Sequence, residues 1–363
     1  MTANNDHAYM AHAIKLAKNG LYTTDPNPHV GCVLVKNNQI IAEGWTQRAG
    51  FAHAEVDALG KTLDADGATA YVTLEPCSHF GRTGPCCDAL INAGIKRVVI
   101  AMQDPNPLVA GRGIASIKAA GIEVTLGVLQ QEASELNRGF FKRMNQNLPW
   151  IRSKLAMSLD GRTAMASGES KWITSPQARQ DVQRWRAESS AILTGVDTVI
   201  ADDPQLNARV DFDLEQPIKV VVDSCLRLPL TAKILENSTE NWIFTCCENP
   251  QKQQQLLEKG CKVFQTTAVN GRVDLKQVFT ILAEQQINTV WVEAGATLNG
   301  ALLDSGLVDE WLIYMAPCVL GDQGRGLFCL PDLQKIDDKK QFKLQDVRAV
   351  GPDLRLRLSS QKI

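Results

Sequence analysis

Short apolar runs of strand length alternate with helical patterns along this chain, and the alternation breaks once and starts again. That rhythm restricts the fold more than any single motif does. Met10, Ala13, Ile14 and Ala17 recur at helical spacing behind Asp6, a capping residue, and ahead of Gly20, so a helix is expected over 6–19. Apolar runs at 30–35 and 40–45 flank Lys36-Asn37-Asn38-Gln39 and predict a β-hairpin. A short helix over HAEVDALG follows, then strand 70–74, helix 86–93 closed by Gly94, strand 97–102, helix 113–120 and strand 122–127. The pattern fails around 145–149 and resumes with strand 151–157, helix 175–188, strands 191–194, 218–223 and 241–245, helix 275–285, strand 289–293, helix 298–305 and strand 310–315. The polar patch 251–255 reads as a solvated helix face. The expectation is two α/β domains, 1–147 and 148–363.

Composition narrows the function classes. With 44% hydrophobic and 21% charged residues, disordered and fibrous chains are excluded. Lys and Arg number 38 against 40 Asp and Glu, so no general attraction to nucleic acid or anionic membrane is expected, though local basic pockets are. The N-terminus lacks an apolar leader core and no apolar run approaches about 18 residues, so a cytoplasmic protein is expected. The ten cysteines therefore point to metal or catalytic use rather than a disulfide framework. Cys32, Cys225, Cys261, Cys318 and Cys329 lie singly in or near apolar runs and read as small buried hydrophobes, whereas Cys77, Cys86 and Cys87 stand in a polar loop.

His53-Ala54-Glu55 opens a helix, and Pro76-Cys77 leaves a strand end for a loop that reaches Cys86 at the next helix, with Pro85 at its first position. One imidazole and two thiolates suit zinc and leave a fourth position for water, the stoichiometry of a catalytic site. A helix N-terminus under Cys86 favours its thiolate. Glu55, two residues after His53, is spaced to take the proton of that water and deliver it to a ring nitrogen and a leaving amine, which is hydrolytic deamination of a nucleobase-like ring. H-x-E alone arises often by chance; joined to a downstream P-C and a second Cys entering a helix, it is specific. The bland alternatives are a structural zinc site or buried thiols. Eight residues separate Cys77 from Cys86, where such sites usually have P-C-x-x-C. Cys87 is the alternative ligand, but one position further along a helix points about 100° away, so Cys86 is preferred.

Together with NPHVGCVLV, MQDPNPLVAGRG, KLAMSLDGRTA, SGESKWITS, ADDPQLNAR and VWVEAGATLNGALL, these residues resemble the bifunctional deaminase and reductase enzymes of riboflavin biosynthesis over nearly the whole chain. The resemblance implies a cytidine-deaminase-like three-layer α/β domain followed by a dihydrofolate-reductase-like α/β domain. It implies two steps: zinc-dependent deamination of 2,5-diamino-6-(5-phosphoribosylamino)pyrimidin-4-one at C2, then NADPH-dependent reduction of the ribosyl chain to give 5-amino-6-(5-phosphoribitylamino)uracil. One zinc would lie on His53, Cys77 and Cys86 with Glu55 shuttling protons, Asn27 would contact the pyrimidine, and Arg82 with Asn106 would hold the phosphate end. His79 would be a supporting or substrate contact rather than a fourth ligand, and Thr46 stands where the family has a His. The implied partners are a phosphorylated pyrimidine and further copies of the chain, with no nucleic acid and no membrane. A tRNA-adenosine-type or other nucleobase deaminase with an appended binding domain would use the same motifs, but the balanced charge, the Cys spacing and the lack of a Lys/Arg-rich face disfavour it. A non-enzymatic zinc module leaves Glu55 and the second half unexplained.

In that half, strand 289–293 passes through Gly295-Ala296-Thr297-Leu298-Asn299-Gly300 into a helix whose N-terminal N–H groups suit a pyrophosphate, although the spacing is not G-x-G-x-x-G and a turn explains either glycine. By the resemblance, NADPH contacts fall on Ala156, Trp172, Thr198, Asp202, Ser224 and the run from Gly295 to Ala301, and substrate contacts on Ser170, Arg186, Leu206, Arg209 and Glu293. Arg186 and Arg209 suit a phosphate dianion, against the plain alternative of exposed arginines. Reduction at the sugar carbon needs an open-chain imine, cationic once protonated. Glu293 would stabilise that charge and Lys154 would position a hydroxyl or donate a proton, unless either is half of a structural ion pair. Arg227 is the residue expected near a 2′-phosphate, Asp160-Gly161 and Asp202-Asp203-Pro204 read as turns, and Trp185 and Trp291 read as core or domain contact.

Overall fold

The structure, a computed structural model, describes residues 3–79, 84–107, 109–236 and 239–360. Its contacts divide the chain into two compact units, Met1–Leu148 and Pro149–Ile363.

In the first unit, helix α1 (Ala3–Ala17) precedes the hairpin β1 (Gly31–Lys36) and β2 (Gln39–Trp45); α2 (Ala54–Leu59), β3 (Thr69–Val72), α3 (Cys86–Asn92), β4 (Arg97–Ile100), α4 (Arg112–Ala119), β5 (Glu123–Leu126), α5 (Gln130–Leu136) and α6 (Arg138–Gln146) follow. The sheet order is β2-β1-β3-β4-β5, with β1 antiparallel to both neighbours and β3, β4 and β5 parallel. Asn37 and Asn38 turn the hairpin with φ of 53° and 61°, a left-handed pair that Asn tolerates. Strand periodicity sorts the core into two layers. Cys32, Leu34, Ala70, Val72, Val98 and Ile100 pack on α2, α3, α4 and α6, while Val33, Val35, Tyr71 and Val99 pack on α1 and α5. The result is the three-layer arrangement expected.

Two expectations fail locally. Asp6 does not cap α1; the helix starts earlier and turns the Asp6 carboxylate inward, onto Arg97 at 2.8 and 2.9 Å and the Tyr71 hydroxyl at 2.8 Å. Helices α5 and α6 were not expected, because α5 buries only Ala133 of a polar sequence and α6 is anchored chiefly by Phe140 and Phe141.

The second unit is built on a sheet of nine strands: β6 (Trp150–Ser158), β8 (Ala191–Gly195), β9 (Ile218–Val222), β10 (Asn241–Thr245), β11 (Cys261–Gln265), β14 (Thr289–Glu293), β15 (Glu310–Ala316), β17 (Phe342–Val350) and β18 (Asp353–Ser360). The minor strands β7 (Arg162–Ala164) with β16 (Arg325–Gly326), and β12 (Ala268–Val269) with β13 (Arg272–Val273), form two small ribbons. The order β11-β10-β9-β8-β14-β6-β15-β18-β17 is parallel as far as β15 and closes with an antiparallel hairpin. Its helices are α7 (Pro176–Ala187), α8 (Val196–Asp202), α9 (Pro250–Glu258), α10 (Leu275–Glu284) and α11 (Ala296–Ser305). Insertion of β14 between β8 and β6 creates a point where chain connections leave in opposite directions. A crevice forms there, at the carboxyl ends of the strands. Among the described residues no helix is long and apolar enough to cross a membrane.

Candidate functional site

The first site is assembled by packing around α2. An added Cβ on Gly44 would meet Ala54 O at 2.3 Å and Ala58 N at 2.4 Å, so only glycine lets α2 lie this close to β2. That approach sets His53, the N-cap of α2, and Glu55 within its first turn. Cys77 arrives from the loop after β3, and Cys86 is the first residue of α3, with Pro85 one position earlier than expected, at the N-cap. His53, Cys77 and Cys86 each offer a ligand atom, all within 4.8 Å of one another. His53 Nδ1 lies 3.2 Å from Cys86 Sγ and 3.6 Å from Cys77 Sγ. The imidazole-to-sulfur edge of a tetrahedral zinc site is about 3.6 Å, so the donor set fits this metal in kind and in spacing. Cys87 instead turns into the core and its thiol meets Asp88 Oδ1 at 3.5 Å.

The charge distribution differs from the expectation in one respect. The N–H of Cys86 points at Cys77 Sγ (3.3 Å), so the end of α3 serves Cys77 rather than Cys86. The Cys86 thiol donates to Cys77, and against the effect of burial this bond, with His53 and the Cys86 amide, holds Cys77 down to about 4, while the same bond and burial push the Cys86 thiol well above its ordinary value. Glu55 is only 3% exposed. Burial first, then the Cys77 charge, pushes its carboxyl up to about 7.

Around this centre Glu75, which the motifs did not single out, accepts from the amides of Asp104 (3.2 Å), Gly111 (2.9 Å) and Ile114 (3.1 Å) and ties the loop carrying Asn106 to the strand end before Cys77. Asp104 in turn accepts from the Asn106 amide at 2.8 Å. Asn27 is half-buried in a turn closed by its N–H to Thr24 O at 2.9 Å, and His79 is exposed. Thr46 is buried and spends its hydroxyl on the Val30 amide at 3.2 Å, a structural bond between the hairpin strands. Arg82 lies outside the described residues.

The second site is a cavity of about 810 Å³ at the ends of β6, β8 and β14. It is lined by Lys154, Ala156, Ser170, Trp172, Arg186, Thr198, Asp202, Leu206, Arg209 and Glu293, and by Gly295, Ala296, Thr297, Leu298 and Asn299 at the start of α11. No side chain caps α11 at Gly295, and an added Cβ there would come no closer than 4.0 Å to Thr198 Oγ1. The uncapped helix end and the open cradle before it fit a dinucleotide pyrophosphate. Three expected contacts stand apart from the lining. Ser224 Oγ accepts from the Val273 amide at 3.1 Å; Gly300 is buried where a Cβ would fall 2.1 Å from Cys329 O; Ala301 is exposed further along α11. Asn299 is a brace, accepting from Ser153 Oγ at 2.6 Å and donating to Ala294 O at 2.8 Å. Arg227 pairs with Asp197 at 2.5 Å.

Glu293 and Arg186 form one unit. Arg186 donates from Nε to Oε1 at 2.6 Å and from Nη2 to Oε2 at 2.9 Å, and from Nη1 to Asn207 O at 2.9 Å. Arg186 is therefore not the free phosphate ligand that its chemistry suggested; it is 8% exposed and its guanidinium is committed to a carboxylate. Burial works to raise the Glu293 carboxyl, but Arg186, Lys154 and the Trp291 indole outweigh it and hold it at about 2. Lys154, opposite Glu293 in the β6–β14 register, is lowered by burial. Arg209 is exposed on the cavity wall, bonded to Asn207 Oδ1 at 3.0 Å. Arg325, from the small ribbon, lines the cavity too and carries no motif that would have marked it.

Family models match both halves: the one described as cytidine and deoxycytidylate deaminase zinc-binding region covers residues 3–102, and the one described as RibD C-terminal domain covers 149–356. The chain is 52% identical to riboflavin biosynthesis protein RibD of Escherichia coli (strain K12) over 366 residues, 97% of this chain and 99% of that protein. It is 48% identical to the Haemophilus influenzae protein of the same name, over 98% of this chain and 97% of that one. Among solved structures, Acinetobacter baumannii RibD superposes with a TM-score of 0.93 at 49% identity, covering 99% of both chains. A Thermotoga maritima diaminohydroxyphosphoribosylaminopyrimidine deaminase/5-amino-6-(5-phosphoribosylamino)uracil reductase superposes with a TM-score of 0.88 at 32% identity, again covering 99% of both. With a zinc-binding deaminase region in one unit and a reductase domain in the other, the chain belongs to the RibD family of bifunctional deaminase and reductase enzymes of riboflavin biosynthesis.

Proposed function

We propose that the first unit deaminates 2,5-diamino-6-(5-phosphoribosylamino)pyrimidin-4-one at C2 and that the second reduces the ribosyl chain of the product to ribityl with NADPH. The observation that supports this best is the convergence of one imidazole and two sulfurs beside a buried carboxylate, Glu55. His53, Cys77 and Cys86 would hold one zinc ion, which supplies Lewis-acid activation of a water. Glu55 moves the protons: screened from solvent, it binds a proton near neutral pH and can pass it to the ring nitrogen and then to the departing amine. Asn27 and Asn106, with Arg82, would orient the pyrimidine and its phosphate.

In the second unit the start of α11 would hold the cofactor's pyrophosphate, with Ala156, Trp172, Thr198 and Asp202 along its length; NADPH supplies the hydride. Arg209 is the cation placed to meet the substrate phosphate, with Ser170 and Leu206 beside it. Glu293, kept ionised, stabilises positive charge at the open-chain sugar carbon, and Lys154 donates the proton that opens the sugar. The working form is a homo-oligomer, as the resemblance implies, which sedimentation would measure.

Incubating the zinc-loaded protein with the diaminopyrimidinone phosphate is expected to release ammonia, and adding NADPH is then expected to bring a fall in its absorbance. Absence of both rejects the proposal. Ammonia released instead from adenosine in RNA favours the nucleic-acid deaminase.

A further inference from the structure

Behind the lining of the second unit's cavity lies a layer of buried side chains from β14 and α7. Trp291 and Glu293 are two apart on β14 and share one face of the sheet. Trp185 and Arg186 are adjacent on α7. The helix therefore grips the strand at two points: the Trp185 ring lies parallel to the Trp291 ring (2° between planes, centroids 5.9 Å apart), and Arg186 forks the Glu293 carboxylate. Arg152 and Arg355 also lie over the Trp185 ring, at 4.9 and 5.5 Å from its centroid, so cations pack on the stack. Trp291 is fully buried and its one polar atom, the indole N–H, donates to Glu293 Oε1 at 2.8 Å.

We infer that Trp291 is a positioning residue for the reduction, holding the Glu293 carboxylate in a single orientation with one acceptor site left for a ligand. A carboxylate offers about four lone-pair sites. Oε1 is filled twice, by Arg186 Nε and the Trp291 indole, and Oε2 once, by Arg186 Nη2. The remaining site lies on Oε2, and Glu293 lines the cavity. Arg186 alone fixes the plane of the carboxylate against α7; the indole fixes it against β14, from a ring that cannot itself rotate within its stack. The inference rests on Glu293 acting in the reduction, and the experiment separates the two.

Three chains are compared, wild type, Trp291→Phe and Glu293→Gln, each given the deaminated substrate and NADPH. Trp291→Phe keeps an aromatic ring in the stack and removes the N–H together with part of the fused ring. Its kcat for reduction is expected to fall about tenfold, with KM and the NADPH dissociation constant within about twofold, the loss of one charge-assisted bond felt at the reacting carbon. A readout apart from turnover comes from the indole N–H resonances of the seven tryptophans. The resonance that disappears in Trp291→Phe is expected to be the one that Glu293→Gln displaces. If Glu293→Gln abolishes reduction while Trp291→Phe keeps wild-type kcat, or if the two changes affect different indole resonances, Trp291 is ordinary core and the inference falls while the reading of Glu293 stands. If Glu293→Gln reduces substrate normally, both fall. Should Trp291→Phe lose NADPH binding through misfolding, Trp185→Leu replaces it: it removes the stacked ring that holds the indole without touching the carboxylate, a fall in kcat at constant KM supports the inference, and an unchanged kcat overturns it.

Discussion

Cys86 and Cys87 are adjacent in sequence and finish in different surroundings, one against His53 and Cys77, the other in the apolar layer beneath the sheet. If Cys86 holds the metal as proposed, replacing its sulfur should do more than the 10- to 100-fold loss typical of supporting residues, so Cys86→Ser is expected to abolish zinc binding and lower deamination by at least about 100-fold while NADPH binding persists. Cys87→Ser is expected to keep its zinc. Metal content of the two purified proteins checks both, and zinc retained in Cys86→Ser but lost in Cys87→Ser would transfer the ligand role. The three metal-binding candidates were legible because helix periodicity distinguishes neighbouring side chains, and H-x-E with P-C names the donors. The commitment of Arg186 was not legible: a cation in an amphipathic helix reads the same whether it meets a phosphate or Glu293, and only the packing of α7 on β14 decides. Nor was the backbone of Leu206, which takes φ of 47° on the cavity wall, a conformation no Leu announces.

Elements were readable where one face is apolar and obscure where packing, not pattern, makes them. The hairpin β1–β2 and helices α7 and α10 follow from periodicity and caps; Ser175 accepts from the Ala178 amide at 3.2 Å, and Asp274 accepts from Lys276 and Gln277. The hairpin β17–β18 was not expected, although Leu354-Arg355-Leu356-Arg357-Leu358 alternates strictly, because a bulge between Leu344 and Asp346 breaks the period of β17, and only the paired register brings Lys343, Asp346, Arg348, Arg355 and Arg357 onto one face. Helix α1 shows how a polar contact fixes an element. The Arg97 hydrogen bonds, ahead of the opposing effect of burial, hold the Asp6 carboxyl below its ordinary value. A group lowered on folding stabilises the fold above its unfolded value of about 3.9 and loses that contribution as pH falls through the folded one. Asp6→Asn is therefore expected to lower stability by about 2 kcal/mol at pH 7 and by much less near pH 2, and urea unfolding at the two pH values measures the difference. Close packing gives a second test: Gly44→Ala must push α2 off β2, and with it His53 and Glu55, so zinc affinity should drop about tenfold or more while reduction of supplied intermediate is unchanged.

At the scale of the molecule, the described residues of each candidate site come from a single unit. The three candidate metal ligands and Glu55 lie before Leu148, and every described residue lining the second unit's cavity lies after Pro149. A nearly neutral chain with a net charge of −2 has no broad field to hold an anionic intermediate, so retention would fall to local cations such as Arg209. The two steps should then be separable and recoverable in trans. Glu55→Gln is expected to lose deamination and still reduce supplied deaminated substrate; Glu293→Gln is expected to release ammonia and consume no NADPH. Mixed together and given the diaminopyrimidinone phosphate, the two variants should consume NADPH after a lag, because the intermediate made by one chain must leave it and reach another. The lag should shorten as total protein rises, since encounter of free intermediate with the second chain sets it. A mixture that releases ammonia yet never consumes NADPH would mean that the intermediate does not escape, and the independence of the two sites would have to be abandoned.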